Sequence, residues 1–404
     1  MVPLLLSVVL LTTFFRKALK DGPRALIDLQ IFRGEVFSAS ALTQFTVNGL
    51  SATASCRSLD VVVRCGAPTS GTSEKESFPN PQRLASVVLL RGRAMDENKS
   101  IKTNVSFESA GLKLAGHLYT PDPDTSPSLP AIVVGPPGSS VKEQAAGMYA
   151  RRLAERGFIT LAFDPAYQGE SEGEPRGLED PSHRVEDIKA AVSFLSVRDQ
   201  VAPNRVGALG ICASGGYVIP ATATDHRIKA VAAVSAVDMG RQFRNSADGH
   251  QAPAIIQGML NAAAAARTAE VRGDGVGMFP IFPATEDQAR AGGQHVFEGW
   301  EYYCTARAQH PRSAKFFTWN SVDGIASFDA FRFIAMIAPR PLFMIVGTDA
   351  VTAWMTTDAF ANAQEPKELC WNKGATHVAL YDRDEYVTPA VSKLVEFFRN
   401  WLTA

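Results

Sequence analysis

One short run near the middle of the chain constrains the fold most, because an apolar strand ends there in a turn crowded with small residues. The run is Val206-Gly-Ala-Leu-Gly-Ile-Cys-Ala-Ser-Gly-Gly216. In a nucleophile elbow, G-x-Nu-x-G, a strained turn joins a strand to a helix. The residues two before and two after the nucleophile must be small so that the two backbones can approach. The run therefore predicts a strand, an elbow and a helix in succession.

The nucleophile position of this elbow can be assigned in two ways. With Cys212 as nucleophile, the flanking small residues are Gly210 and Ser214. With Ser214 as nucleophile they are Cys212 and Gly216, and the bulky Tyr217 then falls where close packing favours a small side chain. We prefer Cys212. A Ser214 nucleophile, or a buried cysteine in a turn that serves only packing, is the alternative.

Short apolar runs alternate with helical segments along most of the chain, and this predicts the fold class. An antiparallel hairpin is expected first, at 102–107 and 112–119. Strands buried on both faces are then predicted at 131–135, 159–163, 205–210, 228–237 and 341–346, with a late short strand at 367–371. Helices are predicted at 142–156, 184–198, 215–224, 328–337, 355–364 and 388–402. The pattern is typical of an α/β protein with a doubly wound, mainly parallel sheet.

A long segment after the sixth predicted core strand contains no further core strand. At about 239–327 it is too long for a simple loop, and we interpret it as an inserted helical lid. Its aromatic residues either line a pocket or form the core of the lid: Trp300, Tyr302, Tyr303, Phe316, Phe317 and Trp319.

An elbow nucleophile needs a base and an acid, which follow it along the chain in the order acid, then histidine. His377 follows the late strand through a small-residue loop and precedes the last helix, so it is the predicted base. Asp349, at the end of the preceding strand, is the first choice for the acid, with Asp238 as the alternative. Such a carboxylate would hold the imidazole and stabilise the imidazolium, and a thiolate–imidazolium pair could then exist at rest.

Two loops complete the predicted site. The oxyanion hole should combine the Ala213 N–H with one from the loop after the third strand. Pro136 and Pro137 have no N–H, so Gly138 or Ser139 must supply it. The loop at 163–176 carries acidic residues among glycines, and it is either a solvated surface or a second layer of the site.

Composition excludes several classes of protein. The chain has 404 residues, of which 46% are hydrophobic and 20% charged, with a formal net charge of −1. This balance, without a long basic run or a P-loop, argues against a nucleic-acid partner. The five cysteines lack metal-site spacing and indicate reduced thiols: Cys56, Cys65, Cys212, Cys304 and Cys370.

The sequence divides into an N-terminal extension, 1–94, and a domain at 95–404. Val2 to Phe15 is apolar and is followed by basic residues, the reverse of the order in a signal peptide. The rest of the extension is rich in Ser, Thr and Pro, a composition typical of disorder. We expect a cytoplasmic protein, associated with a membrane only if the apolar segment acts as an anchor.

Four segments resemble the α/β-hydrolase superfamily, and within it the dienelactone-hydrolase-like branch with a Cys elbow and the fungal polyketide transferase family. The likeness covers about Met95 to Ala404. Two departures are Ser214, which replaces the usual second elbow glycine, and Asp349, which comes early in its loop for a triad acid. The segments are Gly135-Pro-Pro-Gly-Ser-Ser-Val-Lys-Glu-Gln144, Asp164-Pro-Ala-Tyr-Gln-Gly-Glu-Ser-Glu-Gly-Glu-Pro-Arg176, Gly210-Ile-Cys-Ala-Ser-Gly-Gly-Tyr217 and Ala375-Thr-His-Val-Ala-Leu-Tyr-Asp-Arg383.

The resemblance implies acyl transfer in secondary metabolism, from an ester or thioester to water or an acceptor, through an intermediate on Cys212. The substrate would be a small acyl or polyketide molecule, presented as a thioester by a carrier protein or CoA. No metal or organic cofactor is implied. A Ser214 esterase or peptidase, and a catalytically silent ligand-binding protein on the same fold, are the alternatives.

Overall fold

The computed structural model describes residues 99–121 and 128–403. These residues build an eight-stranded sheet in the order β1-β2-β4-β3-β5-β6-β9-β10. The strands of this sheet are β1 (Ser100–Ser109), β2 (Leu112–Pro121), β3 (Leu129–Gly135), β4 (Ile159–Phe163), β5 (Val201–Ile211), β6 (Ile228–Val234), β9 (Leu342–Gly347) and β10 (Lys367–Asn372). The predicted boundary at residue 94 and the apolar N-terminal segment lie outside the described residues.

The sheet is parallel except at one edge. Strand β1 pairs antiparallel with β2, and β2 pairs antiparallel with β4. The other neighbours are parallel. The central strands are rich in Val, Ala, Leu and Ile and are almost entirely buried, as expected for strands covered on both faces. The predicted hairpin and mainly parallel sheet are confirmed.

Helices cover both faces of the sheet. Helices α2, α3 and α9 pack on one face, and α1 and α11 pack on the other. The helices are α1 (Ala145–Ala154), α2 (Pro181–Ser196), α3 (Ala213–Thr224), α4 (Met239–Asn245), α5 (Pro253–Val271), α6 (Glu286–Ala291), α7 (Gln294–Cys304), α8 (Ser321–Ser327), α9 (Ala353–Asn362), α10 (Ala379–Asp382) and α11 (Asp384–Leu402). Among these described helices, none is long and apolar enough to cross a membrane.

One predicted helix differs from the structure, and one small ribbon was not predicted. The helix expected at 328–337 is only a short 3₁₀ turn, Ile334–Ile337. This turn ends before Pro339, as expected because the residue preceding a proline disfavours helical backbone. The segment 239–327, here called the insert, contains five helices, α4 to α8. It also contains a small antiparallel ribbon that the sequence did not predict, formed by β7 (Met278–Pro280) and β8 (Phe316–Thr318).

Candidate active site

Cys212 occupies the turn between β5 and α3 in a strained conformation. Its backbone angles are φ 54° and ψ −115°, a region that non-glycine residues rarely adopt. Hydrogen bonds hold the turn in place. The Cys212 N–H donates to the Val234 carbonyl at 3.0 Å, and its carbonyl accepts from the N–H groups of Gly215 and Val237, both at 2.9 Å. This strained strand-to-helix turn is the geometry of a nucleophile elbow.

Small residues permit the close approach of strand and helix. A Cβ on Gly210 would lie 2.0 Å from the Ser214 carbonyl oxygen, so only glycine fits there. Ser214 is accommodated because residue 135 is a glycine, where a Cβ would lie only 2.7 Å from that of Ser214. The Ser214 hydroxyl is buried and donates to the Pro136 carbonyl. Ser214 therefore belongs to the first turn of α3, and its hydroxyl is occupied by the hydrogen bond to the Pro136 carbonyl.

The thiol of Cys212 has polar groups of three residues beside it. These are the N–H groups of Gly138 and Ala213 and the hydroxyl of Tyr381. Tyr303 fixes the loop at Gly138, because its hydroxyl donates to the Gly138 carbonyl at 3.1 Å. Two N–H groups converging beside a nucleophile have the arrangement of an oxyanion hole. Of the two residues considered for the second donor, Gly138 has its N–H at the sulfur.

His377 is buried beneath the same site, with a partner on each ring nitrogen. The Thr352 hydroxyl lies 2.7 Å from Nδ1, and the Tyr381 hydroxyl lies 2.9 Å from Nε2. The side chain of His295, on helix α7, packs edge-on against the imidazole with 5.2 Å between ring centroids. Both ring nitrogens are thus occupied, and the hydroxyl of Tyr381 contacts both His377 and Cys212.

The two carboxylates considered for the acid are placed differently from a triad acid. Asp349 is exposed, and its carboxylate accepts from the Thr348 hydroxyl at 2.9 Å. It shares only the lining of a cavity of about 50 Å³ with His377. Asp238 is buried, and it caps α4 by accepting from the N–H group of Arg241; it also accepts from the N–H group of Ala330. Neither carboxylate hydrogen-bonds to the imidazole, whose Nδ1 partner is Thr352.

Burial and these neutral partners favour an uncharged pair at rest. Burial lowers the pKa of His377 well below its ordinary value, and His295 lowers it further. Burial also raises the pKa of the Cys212 thiol, although Tyr381 and the two N–H donors oppose that rise. A thiol facing a neutral imidazole is therefore favoured over the resting ion pair expected from the sequence.

The acidic loop after β4 is joined to the oxyanion loop through one buried lysine. The Lys142 ammonium lies 2.8 Å from the Asp164 carboxylate and 2.6 Å from Glu170. The Lys142 N–H also donates to Asp164 at 2.7 Å. Burial disfavours the charge on Lys142, but Asp164 and these hydrogen bonds outweigh it and raise its pKa. The network holds the loop that carries Gly138, so the acidic loop supports the site.

A cavity of about 470 Å³ opens beside Cys212 and His377. The insert supplies much of its wall. Of the aromatic residues considered from the sequence, Tyr303 and Phe317 line the cavity. The lining contains no Asp, Glu, Lys or Arg, and its large apolar side chains are Met239, Phe243, Met259, Phe279, Ile281, Phe282 and Phe317.

Two side chains of the site were missed by the sequence analysis. Thr352 immediately precedes α9, three residues after Asp349, in the loop where the acid was sought. Tyr381 lies four residues after His377, a separation of about one helical turn, and the two side chains meet. That spacing is a usable signal for Tyr381. No sequence pattern distinguishes Thr352 from other loop threonines.

The fold and the elbow define the protein as an α/β-hydrolase enzyme. The model of the dienelactone hydrolase family matches residues 114–258. The chain is 37% identical over 307 residues to the uncharacterized protein YcjY of Escherichia coli K12, covering 75% of this chain and all of that one. The chain belongs to the dienelactone hydrolase family.

Solved structures agree with this assignment. The hypothetical protein PA2218 of Pseudomonas aeruginosa superposes with a TM-score of 0.71 and 34% identity, over 77% of this chain and 98% of that one. The α/β hydrolase GrgF of Penicillium sp. sh18 shares the fold, with a TM-score of 0.62 and 22% identity over 75% of this chain and all of that one. The polyketide transferase ClaH of Penicillium crustosum is 30% identical over 134 residues, covering 33% of this chain and 44% of that one.

Proposed function

We propose that the protein transfers acyl groups from a thioester or ester through a covalent intermediate on Cys212. The observation that carries this proposal is the strained backbone of Cys212, which presents the thiol to the Gly138 and Ala213 N–H groups beside an apolar cavity. An attacking sulfur needs access to the cavity, and the oxyanion of the tetrahedral intermediate needs these N–H donors.

The reaction has two balanced halves. The Cys212 sulfur attacks the substrate carbonyl, and its proton passes to His377. The bond to the leaving thiol or alcohol then breaks, and the leaving group takes that proton. In the second half water or an acceptor alcohol loses its proton to His377 and attacks the acyl group, and the Cys212 sulfur leaves and is reprotonated.

The acid of the site is also part of the proposal. Thr352 orients the imidazole through Nδ1, and Asp349 stabilises the imidazolium from across the small cavity that both residues line. Because Asp349 is exposed, its effect on the charge is weakened by solvent.

The cavity supports an uncharged acyl chain as substrate. Its lining has no Asp, Glu, Lys or Arg, and burial lowers the pKa values of both lining histidines, His295 and His377. A charged chain would lose its hydration there without a partner. Relatives named polyketide transferase agree with such a substrate. Presentation by a carrier protein or CoA, a cytoplasmic location and movement of the insert as a lid stay predictions.

The test uses the full-length protein and two reagents. One is an acyl N-acetylcysteamine thioester with an uncharged chain, and the other is a fluorophosphonate. Peptide mass spectrometry after each reaction locates the label, with Cys212→Ala and Ser214→Ala as matched variants. We expect an acyl group on Cys212, lost in Cys212→Ala and kept in Ser214→Ala. Label on Ser214 would indicate a serine esterase or peptidase. No label from either reagent, with binding retained, would indicate a ligand-binding protein.

A further inference from the structure

The hydroxyl of Tyr381 lies between the thiol and the imidazole. It is 2.9 Å from Nε2 of His377 and lies beside the Cys212 thiol in the lining of the same cavity. Nε2 is the ring nitrogen that would accept a proton, since Nδ1 is taken by Thr352 at 2.7 Å. In this arrangement the imidazole has no free nitrogen with which to bond the sulfur directly.

We propose that Tyr381 is a catalytic residue that relays the proton from Cys212 to His377. This inference rests on the proposed function of Cys212 as nucleophile and deepens it. A hydroxyl is both a donor and an acceptor, so it can accept from the thiol and donate to Nε2 at the same time. The imidazole then carries its own proton on Nδ1, and this N–H donates a hydrogen bond to the Thr352 oxygen.

The transfer conserves every proton. When the sulfur attacks, the S–H proton moves to the Tyr381 oxygen and the original hydroxyl proton moves to Nε2. The products are an S-acyl bond in formation, a neutral tyrosine and an imidazolium. In the reverse direction the imidazolium returns a proton through the same hydroxyl to the leaving group. No free tyrosinate is formed, in agreement with the burial that raises the pKa of Tyr381 well above its ordinary value.

The surroundings of Tyr381 fix its hydroxyl. Its ring packs edge-on against Tyr302, with 5.2 Å between centroids, and against His377, with 5.5 Å. Tyr381 is buried, with 3% of its surface exposed. A Tyr381→Phe change removes the hydroxyl and keeps this packing, so it separates proton relay from structural support.

Tyr149 provides a matched control. Its buried hydroxyl donates to the Leu380 carbonyl at 2.7 Å, so it supports the same short helix as Tyr381 without touching Cys212 or His377. If Tyr381 served only to position α10, then Tyr149→Phe would reproduce the effect of Tyr381→Phe.

The test measures alkylation of Cys212 by iodoacetamide at pH 7.5, followed on its own peptide by mass spectrometry. It needs no substrate. The full-length wild type is compared with Tyr381→Phe, His377→Ala, the double variant and Tyr149→Phe, with thermal unfolding in parallel. We expect Tyr381→Phe to slow alkylation about tenfold, the factor expected when a hydrogen bond to a charged group is lost. We expect Tyr149→Phe to stay within about twofold of the wild type.

The double variant decides between relay and independent action. Because a relay works as one unit, Tyr381→Phe in the His377→Ala background should cause almost no further loss. Multiplied losses, an unchanged rate in Tyr381→Phe, or an equal loss in Tyr149→Phe would overturn the relay. The proposed function fails separately: if no thioester acylates Cys212 while this alkylation pattern holds, the relay stands and the acyl-transfer proposal falls.

Discussion

The hydroxyl of Thr352 lies 2.7 Å from Nδ1 of His377, so a neutral side chain orients the buried imidazole. In a triad with an acid, a carboxylate at this position both fixes the tautomer and stabilises the imidazolium. A hydroxyl can do only the first. The site therefore keeps a neutral thiol and a neutral imidazole at rest, and the charges develop only during the reaction.

Thr352→Val should lower kcat about ten- to a hundredfold, because it removes the single partner of Nδ1 and leaves the ring without a fixed tautomer. Valine has nearly the same shape as threonine, so packing is retained. Thr352→Ser, which keeps the hydroxyl, is the matched control and should stay near the wild-type rate. Steady-state kinetics with an acyl thioester measures both. Equal rates for the valine and serine variants would remove Thr352 from the mechanism.

Asp349→Asn should lower kcat less than about tenfold. The carboxylate of Asp349 is exposed and does not contact the imidazole, so solvent weakens its electrostatic attraction to the imidazolium. Circular dichroism checks that the fold is intact, and kcat is measured beside the Thr352 variants. A loss of a thousandfold or more would mean that the carboxylate contacts His377 in the working enzyme.

The sequence predicted those parts of the site that depend on local geometry. The elbow at Cys212 was recognisable because a strained turn demands small neighbours such as Gly210, and this demand is visible in the sequence. His377 was recognisable from its place after the last strand. Buried apolar runs predicted the sheet for the same reason, since burial on both faces selects residue type directly.

The other parts depend on contacts between distant segments. Thr352 meets His377 across 25 residues of sequence, and Lys142 meets Asp164 across 22. Neither pairing leaves a local pattern, because threonine and lysine are ordinary residues of loops. The ribbon formed by β7 and β8 was missed because each strand has three residues, too few to show alternation.

A chain that begins at Met95 should fold and keep its kcat/KM, because all the strands, the elbow and the histidine described above lie beyond that residue. Thermal unfolding and kinetics of the shortened and full-length proteins are compared directly. A shortened protein that is insoluble or melts many degrees lower would place the domain boundary earlier in the chain.

The free energy of unfolding should fall as the pH drops below about 6.5, the ordinary pKa of histidine. Burial lowers the pKa values of three histidines in the folded protein, His117, His295 and His377. Below pH 6.5 the unfolded chain therefore binds protons that the folded protein does not, and stability is fully present only above that pH. Urea unfolding at pH 7.5 and 5.5 should show a loss of about 1 kcal/mol from His377 alone. His295→Gln should reduce the total loss.

Lys142→Met should destabilise the protein by about 3–5 kcal/mol, because it leaves the buried Asp164 carboxylate without its cation. The ammonium of Lys142 is almost fully buried between Asp164 and Glu170, so solvent cannot replace it. The oxyanion loop would lose its anchor as well, and we expect kcat to fall with stability.

The double variant Lys142→Met, Asp164→Asn tests the cause of this loss. Removing the carboxylate charge should restore part of the stability, because the unpaired buried charge, rather than the missing lysine, is the main cost. Lys393→Met, which removes an exposed lysine paired with Glu396, is the matched surface control and should leave unfolding unchanged. Urea unfolding at pH 7.5 compares the four proteins. If the double variant were no more stable than Lys142→Met, packing around the lysine stem, and not the ion pair, would hold the oxyanion loop in place.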